Sequence, residues 1–517
     1  MSNSQKSLQQ LADYSSDAIA PNSMDIRTEY LEPITSSPLK YTFRLDQAGY
    51  LDTNSLIVFK LAATSTPVSN NLRVNAFNGV LGGVKRAIFQ VGDHIINDIQ
   101  DLNKYATLKQ VLAGNRSVSN QYTGHYIGSQ LWTKVVSSGE ATTEASTAAR
   151  NSTYQLLDNA VAGSIVVDRD KSGMNYGEFV AGTNFNINSQ PIGEDVSTNN
   201  QYGITLGTLF PALQGQKIPL FLFDKQRILI TIEFHGASKY VNKLVGTTTN
   251  YTAGGANNGI ALDADVAIQQ VRMVVDYIIM PSEVQNKIIE QTQKQGGYKL
   301  NFFDVVSVEK NIPANAVNNT IQEVEHRIGQ NNREVHNVYM WKEQPSVSLN
   351  NSDNTFANQS GQALRCGSGQ SCMGNSEEEF NVEVNGRDEF DAFVYNPCSQ
   401  YNELSECLGA DPNLDRPEYI GDEMTAGSML TTAESGLMGS MKPLAVCLRS
   451  GEPGVIGAGR QIGSYPIVWK YKRRTHTAAN GNSLINNQTM KVNYLIECSR
   501  TASIMSTPKG MNVMVSY

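Results

Sequence analysis

Ala267-Ile-Gln-Gln-Val-Arg-Met-Val-Val-Asp-Tyr-Ile-Ile-Met280 runs directly into Pro281-Ser-Glu-Val-Gln-Asn-Lys-Ile-Ile-Glu-Gln-Thr-Gln-Lys-Gln-Gly-Gly297, and the change of pattern at Met280 organises the whole chain. Up to Met280 the β-branched and apolar residues cluster as they do in a strand. Beyond it, the early proline, Glu283 in the first turn, Val284, Ile288 and Gln291 at helical spacing, and Gly296-Gly297 as a stop predict a helix. Strand patterns resume on the far side, which makes this segment the best domain boundary in the sequence.

Upstream, strand follows strand. Tyr41-Thr-Phe-Arg-Leu45 alternates, Ser55-Leu-Ile-Val-Phe-Lys-Leu61 is β-branched and aromatic, and Val84 to Ile96 reads as a strand interrupted by a tight turn or bulge at Gly92-Asp93. Ile218-Pro-Leu-Phe-Leu-Phe223 and Arg227-Ile-Leu-Ile-Thr-Ile-Glu-Phe234 add two more. A helix is predicted from Asp98 to Leu112, with Ile99, Leu102, Tyr105 and Val111 roughly on one face. Residues 1–25 are polar with a few spaced apolar positions and read as an arm, at best a short amphipathic helix.

Downstream a second strand-rich block begins, at Leu300 to Val308, Thr320 to Val324 and Val335-His-Asn-Val-Tyr-Met-Trp341. It continues at Glu379 to Val384, Tyr465 to Tyr471, Met490 to Cys498 and Met511 to Tyr517. Stretches rich in Ser, Thr, Asn and Gly at about 137–200, 235–262 and 350–375 read as long loop excursions. The pattern predicts an all-β fold of two consecutive β-sandwiches, a class that includes jelly rolls, with a few short helices and long loops. The expected divisions are an arm at 1–25, a first sandwich with its linking helix at 26–296, and a second sandwich at 297–517.

Composition narrows the function classes. The 517 residues are 40% hydrophobic, which excludes disorder as the main state, and only 17% charged, so the surface is largely uncharged polar. With 41 basic against 49 acidic residues the net charge is -8, without the basic excess of a chain whose main task is holding nucleic acid. No apolar run approaches the ~20 residues of a spanning helix, and no signal-peptide core follows Met1. All six cysteines (Cys366, Cys372, Cys398, Cys407, Cys447 and Cys498) lie in the last third without a Cys-x-x-Cys pair. They read as free thiols of a reducing compartment, with disulfides within the second half as the alternative.

Chemistry-bearing motifs miss. Asp168-Arg-Asp-Lys-Ser-Gly173 starts like a calcium loop, but the twelfth position is Phe179 and the acid is Glu178, one step out of register. Gly454-Val-Ile-Gly-Ala-Gly459 lacks dinucleotide-binding spacing. The histidines stand singly, with Glu325-His326 and His336 the nearest to a cluster. Glu377-Glu-Glu379 reads as a solvated turn, and Lys472-Arg-Arg474 as a solubilising strand end with phosphate contact as the lesser alternative. No catalytic, cofactor-binding or metal-binding residue is assigned, no cofactor is expected, and the chain is read as a non-enzyme.

Four stretches together carry a resemblance: Arg86 to Ile96, Ile218 to Phe234, Asp276 to Met280 with Ile288-Ile-Glu-Gln291, and the aromatic Asn337-Val-Tyr-Met-Trp341 strand. In that order and spacing, over about residues 40–342, the chain resembles the double jelly-roll major capsid proteins of double-stranded DNA viruses, of the polinton-like virus, virophage and large eukaryotic DNA virus type. It departs from large-virus relatives where Glu283-Val-Gln-Asn-Lys287 replaces an arginine-rich turn. The resemblance implies a homotrimer with a pseudo-hexagonal outline that tiles an icosahedral shell in the virion. It also implies neighbouring capsomers, penton and minor capsid proteins as partners, an internal membrane as a further contact of the arm, and no sequence-specific nucleic-acid binding. The rival readings are a β-sandwich carbohydrate- or receptor-binding protein and a glycoside hydrolase, for which Glu233, Glu325 and Glu379 are the available carboxylates.

Overall fold

The computed structural model describes residues 25–109 and 201–343 apart from short interruptions, 133–137, 154–155 and 165–167 between them, and 378–409, 443–450, 459–475 and 490–516 with short interruptions. The first eight principal strands are β1 Asp25–Leu31, β2 Lys40–Leu45, β3 Leu56–Ala63, β4 Val84–Val91, β5 His94–Gln100, β6 Gln201–Thr205, β7 Ile228–Phe234 and β8 Val266–Ile279. The next eight are β9 Tyr298–Ile312, β10 Thr320–Gly329, β11 Glu334–Glu343, β12 Glu378–Val384, β13 Arg387–Asp388, β14 Leu444–Cys447, β15 Ile467–Thr475 and β16 Met490–Thr507. A final strand, β17 Gly510–Ser516, pairs with β16.

Pairing follows one rule twice. In the first half one sheet runs β1-β8-β3-β6 and the other β2-β7-β4-β5. In the second half the sheets run β9-β16-β11-β14 and β10-β15-β12-β13. Numbered within each half, both give 1-8-3-6 facing 2-7-4-5, all antiparallel, which is the eight-stranded wrapping of a jelly roll. The expected pair of consecutive jelly rolls is therefore what the chain forms.

Each half packs its own interior. Phe43, Phe89, Ile230 and Ile232 of one sheet meet Ile57, Phe59, Met273 and Tyr277 of the other in the first. In the second, Phe380, Val382, Trp469 and Tyr471 meet Val338, Met340, Tyr494 and Ile496. Trp469 stacks on Phe380 at 5.1 Å and 14°. On β7 the burial alternates residue by residue, the mark of a strand with one face in the core.

The predicted linking helix forms as Ser282–Lys294 and ends at Gly296, φ 81°. None of its residues is fully buried; Val284, Ile288 and Ile289 lean on Tyr50, Phe221, Leu222, Ile278 and Met280. The Gly92-Asp93 turn joins β4 to β5 as expected, with Gly92 at φ 58°.

Two expectations are corrected. The helix read over 98–112 begins only at Leu102, with Leu102–Ala106 here α1, because Asp98 is held in β5 by two hydrogen bonds from Arg86 (2.7 and 2.6 Å) and Asp101 turns the chain at φ 51°; its expected end at 110–112 lies outside the described residues. Of the strand read over Ile218 to Phe223 only Ile218–Pro219 is extended, and Leu220–Leu222 curls into a 3-10 turn. Pro219 has no N–H with which to extend the ladder. Two of the excursions also carry strands of their own: Thr133–Ser137 pairs with Tyr154–Gln155 and Ile165–Val167, and Val241–Leu244 pairs with Leu72–Val74 and Asn258–Ile260. The arm over 1–24, the stretch 350–375 and the Asp168 loop lie outside the described residues.

Candidate functional site

Strands β11 and β16 read as continuous apolar runs, and the structure shows why. Val338 and Met340 point into the second jelly roll, whereas Tyr339 and Trp341 belong to the core that continues into the first. Tyr494 and Ile496 likewise face inward, while Leu495 and Glu497 face the neighbouring barrel. A strand buried on both faces loses the polar half of its alternation. Sheet β9-β16-β11-β14 is thus shared: one face closes its own sandwich, the other is the seam between the two.

Charges are concentrated in that seam. Glu497 on β16 accepts hydrogen bonds from Lys109 Nζ (2.8 Å), Tyr105 OH (2.8 Å) and Asn337 Nδ2 (2.5 Å). Lys109 Nζ also donates to Tyr339 OH at 3.1 Å and lies 5.5 Å from the centre of that ring. Beside this cluster, Asp304 on β9 accepts from Asn97 Nδ2 (2.8 Å) and Arg500 Nη1 (2.7 Å), and Asp101 accepts from Ser307 Oγ (2.7 Å) and Lys104 Nζ (3.3 Å). Each acid has one basic partner, so the seam is close to neutral.

The electrostatics follow from burial and pairing. Burial pushes the Glu497 carboxyl up, but Lys109 and the hydrogen bonds from Asn337 and Tyr105 outweigh it and hold the group below its ordinary value. Asp101 ends low in the same way, burial being overcome by Lys104 and Ser307. Burial wins at Asp304, which stays raised despite Arg500. Tyr105 and Tyr339, fully enclosed beside Glu497, are pushed well above the usual phenol range and remain neutral donors.

The residues singled out by sequence fall elsewhere. His326 is buried on β10, its Nε2 3.2 Å from Asn311 O and its Nδ1 2.8 Å from Tyr494 OH. A carbonyl only accepts, so Nε2 carries the proton and Nδ1 accepts from the tyrosine. His336, on β11, is hydrogen-bonded to Ser499 Oγ at 2.6 Å and has Glu334 3.1 Å away. The two histidines therefore have separate partners. Arg473, from the one basic cluster, is 1% exposed and donates to Gln322 Oε1 (2.8 Å) and Pro313 O (3.1 Å), while Lys472 pairs with Glu323 at 2.8 Å. The solubilising reading of Lys472-Arg-Arg474 thus fails at Arg473.

Glu233 sits in the first barrel against Lys40 at 2.9 Å. Glu325 and Glu379 flank β15, opposite Lys470 and Lys472 respectively, which places their backbones roughly 12 Å apart. Among the described residues no group of His, Cys, Asp and Glu could hold a metal ion, and no helix is long and apolar enough to cross a membrane. Sequence reasoning missed Lys109, Asp304, Glu497 and Arg500. The available signal was a carboxylate inside the apolar run Tyr494-Leu-Ile-Glu497, where an alternating strand would place it facing solvent.

No protein-family model matches the sequence, and no curated protein matches it. Solved structures do. PBCV-1 VP54, fitted into a reconstruction of the virophage Sputnik, aligns over 97% of this chain and 99% of its own at TM-score 0.53 and 9% identity. The Faustovirus major capsid protein aligns over 94% and 91% at TM-score 0.52 and 11% identity, and the Sputnik virophage structure over 97% and 90% at TM-score 0.51 and 9% identity. The likeness spans both jelly rolls of each chain and shows a shared fold.

Proposed function

We propose that the chain is a non-enzymatic major capsid protein that assembles as a trimer and tiles an icosahedral shell. One observation carries this reading: two jelly rolls of identical strand order, joined through a buried seam, align end to end with chains from virus capsids. Two barrels per chain make six per trimer, an outline close to hexagonal, and six-fold outlines tile a flat facet. The charge-balanced seam lets each chain act as one rigid block, so the angle between barrels is set before assembly. A surface poor in charge suits repeated contact between copies without like-charge repulsion.

On this reading the arm at 1–25 precedes a first jelly roll at 26–296, which includes the linking helix, and a second at 297–517. Neighbouring capsomers, penton and minor capsid proteins are the partners, and the arm reaches inward toward a minor protein or an internal membrane. The protein resides in the virion. Its net charge of -8 fits a shell that leaves genome contact to other proteins.

Mass photometry of the recombinant full-length protein tests the proposal. A trimer of 56.6 kDa chains, about 170 kDa, is expected. A stable monomer with affinity for a glycan array overturns it in favour of a carbohydrate- or receptor-binding protein. Electron microscopy of assembled material then tests the tiling.

A further inference from the structure

Two of the free cysteines meet at one place in the second jelly roll. Helix α2, Pro397–Leu408, lies against β14, and it carries Cys407, which is buried, while Cys447 ends the strand half-buried. Three independent contacts fix the pair. Asn337 is the cross-strand partner of Cys447, and its Nδ2 donates to Cys407 O at 3.2 Å. Tyr339 OH donates to the same carbonyl at 2.9 Å. One helical turn before Cys407, Glu403 Oε2 accepts from the Cys447 backbone N–H at 3.4 Å. Positions 403 and 407 therefore share the helix face that covers Cys447.

We propose that Cys407 and Cys447 are a redox-active dithiol that closes to a disulfide by exchange with an oxidised low-molecular-weight disulfide such as glutathione disulfide, locking this helix onto β14. The half-exposed Cys447 is the attacking group. The Cys407 S–H directed at it, above all, and the nearby Arg449 bring its thiol down to about 6, whereas burial pushes Cys407 well up. The Cys447 thiolate forms a bond to one glutathione sulfur as the glutathione S–S bond breaks, and the first glutathione leaves as a thiolate that takes up a proton. Cys407 then gives up its proton and attacks Cys447 Sγ, expelling the second glutathione. Two protein thiols and one glutathione disulfide become one protein disulfide and two reduced glutathiones. Cys407 lies on the helix face that covers Cys447, so reaching the ~2.05 Å bond requires only local adjustment.

The chemistry of the pair is independent of the capsid reading, and its test is indifferent to oligomeric state. Full-length protein is incubated with glutathione disulfide or with reduced glutathione, alkylated under denaturing conditions with N-ethylmaleimide, digested without reduction and mapped by mass spectrometry. The expected result after oxidation is a peptide pair linking 407 to 447, with the thermal unfolding midpoint raised by about 5 °C. Cys407→Ser is expected to retain glutathione on Cys447. Full alkylation of both cysteines in the oxidised wild type, glutathione persisting on wild-type Cys447, or either cysteine linked elsewhere overturns the proposal.

Discussion

Lys109 Nζ lies 2.8 Å from Glu497 Oε1, an ion pair between the segment that follows α1 in the first jelly roll and the last long strand of the second. Both groups are largely withdrawn from water, so the pair's value lies in what happens when one partner is removed. Lys109→Met or Glu497→Leu alone strands the other charge and is expected to destabilise the fold by about 3–5 kcal/mol. The double substitution is expected to recover most of that loss. A double-mutant cycle in urea measures it, and additive losses would show that the two charges do not act on each other.

Glu403 gives a pH dependence of opposite sense to that of Glu497. Burial raises its carboxyl to about 7, only partly offset by the Cys447 N–H. The folded protein thus binds this proton more tightly than the unfolded chain, and stability is lost as pH rises from the unfolded value through about 7. Glu403→Gln retains a side-chain oxygen that can accept from Cys447. It is expected to unfold at a higher temperature than wild type at pH 8, with the difference shrinking toward pH 4. Thermal scans across that range check it; a constant difference counts against the assignment.

Glu497 and Asp101, held low, contribute stability that is present above their unfolded values and lost as pH falls through their folded ones. Acid is therefore expected to loosen the seam before either barrel. Hydrogen exchange at about pH 3 to 4 should show earlier loss of protection in α1 and the seam edge of β16 than in β7.

Gly49 occupies φ 62°, and a Cβ there would sit 2.2 Å from Ile278 O on β8. Gly49→Ala combines left-handed strain with a backbone clash that no side-chain rotation relieves, so a loss of more than about 1 kcal/mol is expected. Gly296→Ala shares the positive φ but meets nothing within 4 Å. Comparing the two by chemical denaturation separates clash from strain.

Arg473→Ala removes a buried guanidinium from Gln322 and the Pro313 carbonyl and is expected to cost at least about 2 kcal/mol. Lys472→Ala next to it loses a pair with the mostly exposed Glu323 and the contact of its Nζ with the Phe393 ring at 4.0 Å, and a smaller change of about 1 kcal/mol is expected. Equal effects in a melting assay would contradict the burial of Arg473.

Much of the architecture was legible in single segments. Tyr41 to Leu45 and Ile228 to Phe234 alternate because one face meets a core and the other is open to water in part. The linking helix carried its own start and stop in Pro281, Glu283 and Gly296. Where local pattern failed, a distant or backbone effect had overruled it: Arg86 drew Asp98 into a strand, and Pro219 broke the ladder that its apolar neighbours invited.

The sequence by itself determined the strands, the linking helix and the existence of two β-rich halves, because period and turn chemistry act within about a dozen residues. Only the tertiary structure decided that both halves wind in the same order and that β11 and β16 are buried on both faces. It also decided that Lys109 meets Glu497 and that Cys407 meets Cys447. These are pairings between segments far apart in the chain, selected by which faces the folded sheets press together, and no local window contains both partners.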